Sequence, residues 1–153
     1  MIQTPQELEV FLLAMLPVME LRGAIPLALK WGIDPQSAFL LALGGNLVPA
    51  AGLLLGLEAI VGRLRRKEIF DRLISKIFHR TRRRGKVVEK YGPLGLALFV
   101  AVPLPLTGAW TGSILAYLLG IPFRRAFPSI AAGAAAAGIL VTSASLGAIR
   151  LFG

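Results

Sequence analysis

The sequence contains no cysteine and only one histidine, His79. Without cysteine, neither a disulfide framework nor a cysteine zinc site can form, and a single histidine does not suit a histidine-based metal site. Aromatic residues are scarce, at 8%, and charged residues make up only 16% of the chain. With 56% hydrophobic residues and a mean hydropathy of +0.72, the composition is too apolar for an ordinary soluble domain and indicates a membrane protein.

Acidic residues are also few, and the net charge of +9 is concentrated in one segment. Residues 63–90 hold twelve Lys and Arg against three Asp and Glu, whereas bases and acids balance in the remainder. A basic stretch can indicate nucleic-acid binding, but this one lies between hydrophobic segments. The positive-inside rule explains it better, so we predict that residues 63–90 are cytoplasmic and that no nucleic acid is bound.

Several further signals are missing. The beginning, "MIQTPQELEV", has two acids and no base, so we expect no cleavable signal peptide. No Ser–His–Asp set, metal-ligand cluster or phosphate-cradling loop is recognisable. The sequence therefore predicts no enzyme, no cofactor and no metal, but a multi-pass protein of the cell's inner (plasma) membrane.

Two long stretches carry no charge at all. Residues 35–57 number 23 and residues 126–149 number 24, and one membrane crossing by a helix needs about 20 residues. Both stretches are rich in glycine, alanine and serine, which allow helices to pack closely in lipid. We predict a transmembrane helix in each.

A third apolar stretch, residues 91–123, has an awkward length of 33 residues. As one helix it would be about 50 Å long, and two crossings would need about 40 residues. Its middle, "PLPLTGAWTG", contains two prolines, which remove backbone donors and favour turns. We therefore predict a re-entrant hairpin, whose broken backbone must face protein or a wet cavity.

The segment "PVMELRGAIP", residues 17–26, has the same character. We predict a first re-entrant hairpin with one arm at 6–16, a break at 17–26 and a second arm beginning at 27–33. Four prolines are predicted to shape the two hairpins: Pro17, Pro26, Pro103 and Pro105.

A weak internal repeat supports two equivalent halves. "GIDPQSAFLLALGG" (32–45) aligns with "GIPFRRAFPSIAAG" (120–133) at a constant offset of 88, with five identities. We predict one all-α membrane domain over 1–153, with repeat one at 6–62 and repeat two at 91–150. Each repeat is a re-entrant hairpin followed by a transmembrane helix, and the two are inverted, as in many transporters.

Charge distribution favours this inverted arrangement over its rival of four full crossings. The inverted model returns Arg124 and Arg125 to the cytoplasmic side, whereas four crossings would leave them outside. The basic segment itself contains "KEIFDRLISKIFHRTRRR", whose apolar residues recur at helical spacing. This amphipathic helix either lies on the inner leaflet, attracted by anionic lipid, or is a charged linker packed on the protein.

Two segments, "ELRGAIPLAL" and "PLPLTGAWTG", resemble the signature segments of the putative small multidrug export protein family, which is thought to be related to the wider DedA group of membrane proteins. The resemblance covers nearly the whole chain. It implies a transporter-like fold with two re-entrant hairpins and, from the DedA branch, proton-dependent movement of phospholipids or polyprenyl phosphates. The acidic and arginine motifs of DedA proteins are matched only loosely here, by Glu20, Arg22, Arg124 and Arg125.

Charged residues within membranes usually serve function, which singles out Glu20 and Arg22. Glu20 is the candidate proton carrier, and Arg22 could grip an anionic group with two donors. The alternative is a structural ion pair that fixes the hairpin. Thr107, Trp110 and Thr111 offer further donors at the second tip, although Trp110 could instead be an interfacial anchor.

Arg124 and Arg125 are candidate headgroup ligands, or ordinary positive-inside flanks. The leading hypothesis for function is a small transporter that moves a small or lipid-like substrate, anionic and proton-coupled, between opposed hairpin tips. A passive channel and a non-transporting membrane scaffold are the alternatives. Membrane lipid and a second copy of the chain are the expected partners, with "AAGAAAAG" (131–138) as one dimer interface candidate.

Overall fold

The computed structural model describes residues 5–64 and 66–152, and helices account for most of them. No strand occurs within these two ranges, so the predicted all-α class is confirmed. In chain order the helices are α1 (Pro5–Met15), α2 (Glu20–Lys30), α3 (Pro35–Leu64), α4 (Glu68–Arg84), α5 (Lys86–Ala101), α6 (Ala109–Leu118) and α7 (Phe123–Phe152).

The two charge-free stretches lie within the longest helices, α3 and α7. Each has 30 residues, which gives a length of about 45 Å. By length and composition both can cross a membrane, with mean hydropathies of 1.9 and 1.7 over their most apolar windows. Large apolar side chains such as Leu40, Leu55 and Ile139 point outward from them. This is the surface expected of helices that face lipid.

The other apolar helices are short. The hairpin of α1 and α2 has two arms of 11 residues each, about 16 Å, which is well below the thickness of a hydrocarbon core of about 30 Å. In the second hairpin, α6 has 10 residues, and α5 is bent at Gly92, where φ is 56°. Neither arm of the first hairpin can therefore span a bilayer by itself.

The break in the first hairpin is shorter than the predicted 17–26. Only residues 16–19 are non-helical, because α2 already begins at Glu20. Pro17 lies in this turn, but Pro26 lies inside α2 and is exposed, so it does not shape the break. A proline inside a helix removes one hydrogen bond; the buried face of α2, which packs on the core, holds the helix regular in spite of this loss.

The second hairpin breaks over residues 102–108, which agrees with the first part of the predicted "PLPLTGAWTG". Pro103 and Pro105 both lie in this loop, where a missing backbone donor costs no helical hydrogen bond. The remainder of that motif, from Ala109 onward, forms the first turn of α6.

The two halves pack in a corresponding way. Helix α1 packs on α3 as α5 packs on α7, and each second arm crosses to the opposite half, where α2 contacts α7 and α6 contacts α3. Helices α3 and α7 also contact each other at the centre. Each contact between helices of one half thus has a counterpart in the other half.

The ends of the second arms match at the offset of 88. Gly32 and Gly120 adopt positive φ, 80° and 65°, just after α2 and α6. In both cases the N–H of the next residue bonds to the carbonyl five positions earlier, at 3.0 Å after α2 and 2.9 Å after α6. This is the Schellman arrangement, which favours glycine because it has no β-carbon. The repeat seen in the sequence thus includes the same helix stop in each half.

Two further glycines mark where the first arms cross the long helices. A β-carbon at Gly45 would overlap the carbonyl oxygen of Phe11 in α1, and one at Gly133 would overlap the carbonyl oxygen of Ala97 in α5. Gly45 and Gly133 are 88 residues apart and both are buried. The halves therefore use the same close backbone approach.

Helix α3 begins with a side-chain cap. The Asp34 carboxylate accepts the backbone N–H groups of Gln36 and Ser37, both at 3.0 Å, and Pro35 occupies the first helical position, where no donor is needed. The hydrogen bonds from the side chain and backbone of Ser37, and then from the backbone of Gln36, lower the pKa of Asp34 below its usual value.

The predicted amphipathic helix is present as α4, which packs mainly on α6. The Phe78 ring lies 5.9 Å from that of Tyr117 in α6, while Ile69, Leu73 and Ile77 on another side are exposed. One side of α4 thus packs on the protein and another is left uncovered. Of the basic segment, Arg65 lies outside the described residues.

Candidate functional site

The tips of the two hairpins contact each other, and Glu20 and Gly108 are buried where they meet. Glu20 and Leu106, one at each tip, have positive φ of 47° and 66°. Such values are strained for residues with a side chain, and they cluster at functional sites. The tips are therefore the first place to look for a site.

Glu20 binds the start of α6, in the opposite hairpin. Its carboxylate is buried, with only 6% of the residue exposed, and it accepts the backbone N–H of Trp110 at 3.4 Å. A β-carbon at Gly108 would overlap this carboxylate, so the approach requires glycine there. Since the N-terminus of a helix is the positive end of its dipole, it stabilises the negative charge of Glu20.

Arg22 binds the other side of the same break. Its guanidinium donates to the backbone carbonyls of Val100 at 3.2 Å, Val102 at 3.1 Å and Thr107 at 3.2 Å, and also to that of Leu104. The last carbonyls of a helix have no partner within the helix, so Arg22 satisfies the end of α5 and the loop after it.

Trp110 binds the end of the first arm of the first hairpin, as Arg22 binds the end of the first arm of the second. Its indole N–H donates to the carbonyl of Met15, the last residue of α1, at 3.1 Å. Arg22 and Trp110 are 88 residues apart, so equivalent positions hold the first arm of the opposite hairpin. Each tip therefore donates hydrogen bonds to the other. The contact of Trp110 favours a tip position for this residue over an interfacial anchor.

The two threonines behave differently. The Thr107 hydroxyl donates within its own loop, to the carbonyls of Val102 at 2.7 Å and Leu104 at 2.8 Å. The Thr111 hydroxyl has no hydrogen-bond partner in the described part of the chain and lines a cavity of about 230 Å³ between the tips. The cavity's lining also includes Pro17, Met19, Glu20, Arg22, Pro105, Leu106 and Gly108.

Glu20 and Arg22 do not form the structural ion pair that was the alternative to a functional role. Within residues 5–64 and 66–152, no salt bridge of 4.0 Å or less joins them, because each side chain is directed to a different end of the break in the opposite hairpin. The guanidinium Nε of Arg22 is buried and has no partner in this part of the chain. The charges thus act through backbone groups, and part of the Arg22 donor capacity stays unused.

Arg124 and Arg125 are not part of this site. Both are exposed in the first turn of α7, and the length of α6, about 15 Å, separates that turn from the tips. The structure therefore brings together Glu20, Arg22, Thr107, Trp110 and Thr111, and leaves the two arginines at the surface.

The sequence analysis did not identify all members of the site. Gly108 and the carbonyls of the 102–108 loop have no side-chain chemistry that could have signalled them in the sequence. Asn46 of α3 does not line the cavity, but it is 1% exposed and its Oδ1 has no partner among the described residues. No group of three His, Asp or Glu in the described ranges could hold a metal ion.

Comparison with known proteins agrees with the two signature segments. Residues 20–140 match the family described as putative small multi-drug export protein, and this match covers most of the chain, including Glu20, Arg22 and the 102–108 loop. No match was found among curated proteins or among solved structures. With its two long apolar helices, the chain is a membrane protein and belongs to the putative small multi-drug export protein family.

Proposed function

We propose that the protein is a small transporter whose substrate site is the cavity between the hairpin tips. The observation that carries this proposal is a buried carboxylate, Glu20, and a half-buried guanidinium, Arg22, beside a cavity with a free hydroxyl, that of Thr111. Charged groups inside membrane domains are costly and are usually kept for function. The family description, multi-drug export, supports transport and leaves the substrate open.

The chemistry of the tips supports an anionic substrate that moves together with a proton. A proton on Glu20 removes the negative charge that faces the start of α6 and that lies near the Arg22 guanidinium. The positive charge of Arg22 is then uncompensated, so an anion in the cavity is favoured. Proton and anion thereby assist each other's binding, which is the condition for coupled transport.

The architecture of the proposal is a pair of inverted repeats with re-entrant hairpins. Its support is the short arms, the helix stops at offset 88 and the reciprocal contacts of Arg22 and Trp110. Discontinuous helices that meet near the middle of the bilayer are a common way to build a transport site. A kinship with DedA proteins, and hence a lipid-like substrate, remains part of this proposal.

We further propose that the chain works as a homodimer in the inner membrane, with residues 63–90 in the cytoplasm. Of the candidate interface 131–138, Gly133 and Gly138 are already buried, against α5 and against Phe39 of α3. Ala132 and Ala136 remain exposed. The dimer interface would therefore use the outer side of this stretch, where small residues permit close approach.

The proposal is tested with purified protein in liposomes that enclose a pH-sensitive dye. Toluenesulfonate, a permanent anion, and ethidium, a permanent cation, are offered under an imposed pH gradient. We expect toluenesulfonate to elicit proton movement with the native protein. Glu20→Gln should abolish it, and Glu58→Gln should not, because Glu58 is an exposed carboxylate elsewhere on α3.

Other outcomes would favour other functions. Proton movement with ethidium only would contradict an anionic substrate. A current proportional to voltage and unaffected by Glu20→Gln would indicate a passive channel. Absence of flux, together with loss of partner proteins on deletion of residues 63–90, would indicate a scaffold.

A further inference from the structure

We propose that one anionic phospholipid binds where the C-terminal half of α4 meets the second hairpin, at a site separate from the central cavity. The site consists of two adjoining grooves that share Arg84, with Arg80 in the smaller groove. It does not depend on the transport proposal, since the lipid is bound and not carried.

The larger groove has a volume of about 430 Å³, which is within the usual range of small-molecule sites. Its walls are mostly apolar side chains of α5 and of the 102–108 loop, and Arg84 lies at its edge. The lining residues are Arg84, Val87, Leu98, Phe99, Val102, Leu104, Pro105 and Thr107.

The smaller groove, of about 190 Å³, lies on the other side of Arg84. It is formed by α4 and α6 and includes Arg80, Ile77, Ile114, Leu106 and Thr111. Arg84 thus stands at the junction of two apolar grooves, and Arg80, one helical turn earlier in α4, lines the smaller one. This combination fits a phosphate headgroup with acyl chains on either side.

Charge favours an anion at this junction. Neither groove is lined by an acidic side chain, and the nearby Glu89 is bound to Arg82 at 3.0 Å. The Arg84 guanidinium donates to the carbonyl of Pro105, at 3.4 Å. Guanidinium groups bind phosphate oxygens with two parallel donors, so Arg80 and Arg84 are suited to one phosphodiester.

The surroundings favour a membrane lipid over a free phosphate. Leu94 and Leu98 of α5 and Val102 directly after it form an exposed apolar row, and Ile69 and Leu73 are exposed on α4. Such rows are stable in a membrane only when acyl chains cover them. The larger groove continues the row on α5, because Leu98 and Val102 belong to both.

The site also contacts the transport site indirectly. Leu106 and Thr111 line both the smaller groove and the central cavity, and the Pro105 carbonyl is held by Arg84. A lipid bound here would therefore restrain the 102–108 loop, whose carbonyls receive Arg22.

Native mass spectrometry of the detergent-purified protein tests this site. Phosphatidylglycerol, phosphatidylcholine of the same acyl chains, and inorganic phosphate are titrated separately. We expect one phosphatidylglycerol to bind preferentially, and its affinity to fall about 30-fold in the double variant Arg80→Gln with Arg84→Gln. The matched control, Arg72→Gln with Arg83→Gln, removes the same charge from exposed positions outside the grooves and should change the affinity less than about 3-fold.

Three results would overturn the proposal. Equal loss in both double variants would mean diffuse attraction to the basic segment. Equal binding of phosphatidylcholine would mean that the headgroup is not recognised. Displacement of phosphatidylglycerol by millimolar inorganic phosphate would mean that the acyl chains do not contribute to binding. Circular dichroism tests whether the variants stay folded. The double variant Arg80→Lys with Arg84→Lys keeps the charge but loses the planar guanidinium, so its affinity for phosphatidylglycerol should lie between those of the native protein and the glutamine variant.

Discussion

At the scale of single residues, the two charges of the first hairpin bind backbone groups and form no salt bridge with each other. Arg22 satisfies the carbonyls that follow α5, and Glu20 receives an N–H at the start of α6. These groups belong to a hairpin about 80 residues further along the chain. Removing either charge therefore loosens the contact between the two hairpins.

The Arg22→Ala variant should be the more damaging of the two single changes. It leaves several carbonyls of the second tip without a donor and Glu20 without a nearby positive charge, which costs about 2–3 kcal/mol. Glu20→Gln keeps an acceptor for the Trp110 N–H and should cost less. Thermal unfolding in detergent measures both, and Lys30→Ala, at an exposed base of the same helix, serves as the control.

The double variant of Glu20→Gln and Arg22→Ala separates backbone capping from ion pairing. Because glutamine at 20 cannot supply the donors lost from Arg22, the double variant should be no more stable than Arg22→Ala. Recovery to the stability of Glu20→Gln alone would show that the charges matter chiefly to each other, contrary to the observed contacts.

At the scale of helices, the fold depends on two equivalent crossings. Helix α1 reaches α3 at Gly45, and α5 reaches α7 at Gly133, with a backbone carbonyl at the position of the absent side chain in each case. Lipid supplies no hydrophobic drive for helix association, so close packing of this kind carries much of the stability.

The Gly45→Ala and Gly133→Ala variants should therefore be destabilised to a similar extent. Each added methyl meets a carbonyl oxygen that moves only if the whole helix shifts, at a cost of about 1–3 kcal/mol. Gly52→Ala in α3, where no atom lies within 4 Å of the added carbon, should be neutral or slightly stabilised. Melting temperatures of the three variants are compared in one detergent. A lower melting temperature for only one of Gly45→Ala and Gly133→Ala would argue against equivalent halves.

At the scale of the whole molecule, the orientation of the halves decides where the site opens. Inverted repeats place α4 and the start of α7 on one side of the membrane, because the second hairpin enters and leaves on that side. Four complete crossings would place them on opposite sides.

The absence of native cysteine makes this distinction measurable. Single cysteines at Lys76 in α4 and at Arg125 in α7, both exposed, should react with an impermeant maleimide only from the cytoplasmic side. Reaction of position 125 solely from outside, with position 76 still cytoplasmic, would contradict the re-entrant hairpin.

The sequence by itself determined the long apolar helices, the amphipathic α4 and the two broken segments. These features follow from local hydrophobicity, helical spacing and glycine positions, which act within one element. The sequence also singled out Glu20, Arg22 and Trp110, because charge and donors are unusual in an apolar stretch.

Only the tertiary structure decided what those side chains bind. The sequence left a Glu20–Arg22 ion pair as an alternative, whereas the fold gives the two side chains different backbone partners in the second hairpin. Likewise, "AAGAAAAG" signals close packing, but only the fold shows that Gly133 and Gly138 receive α5 and Phe39. The physical reason is that backbone donors, acceptors and glycine surfaces are the same in every sequence context, so their partners depend on which distant segment the packing brings near.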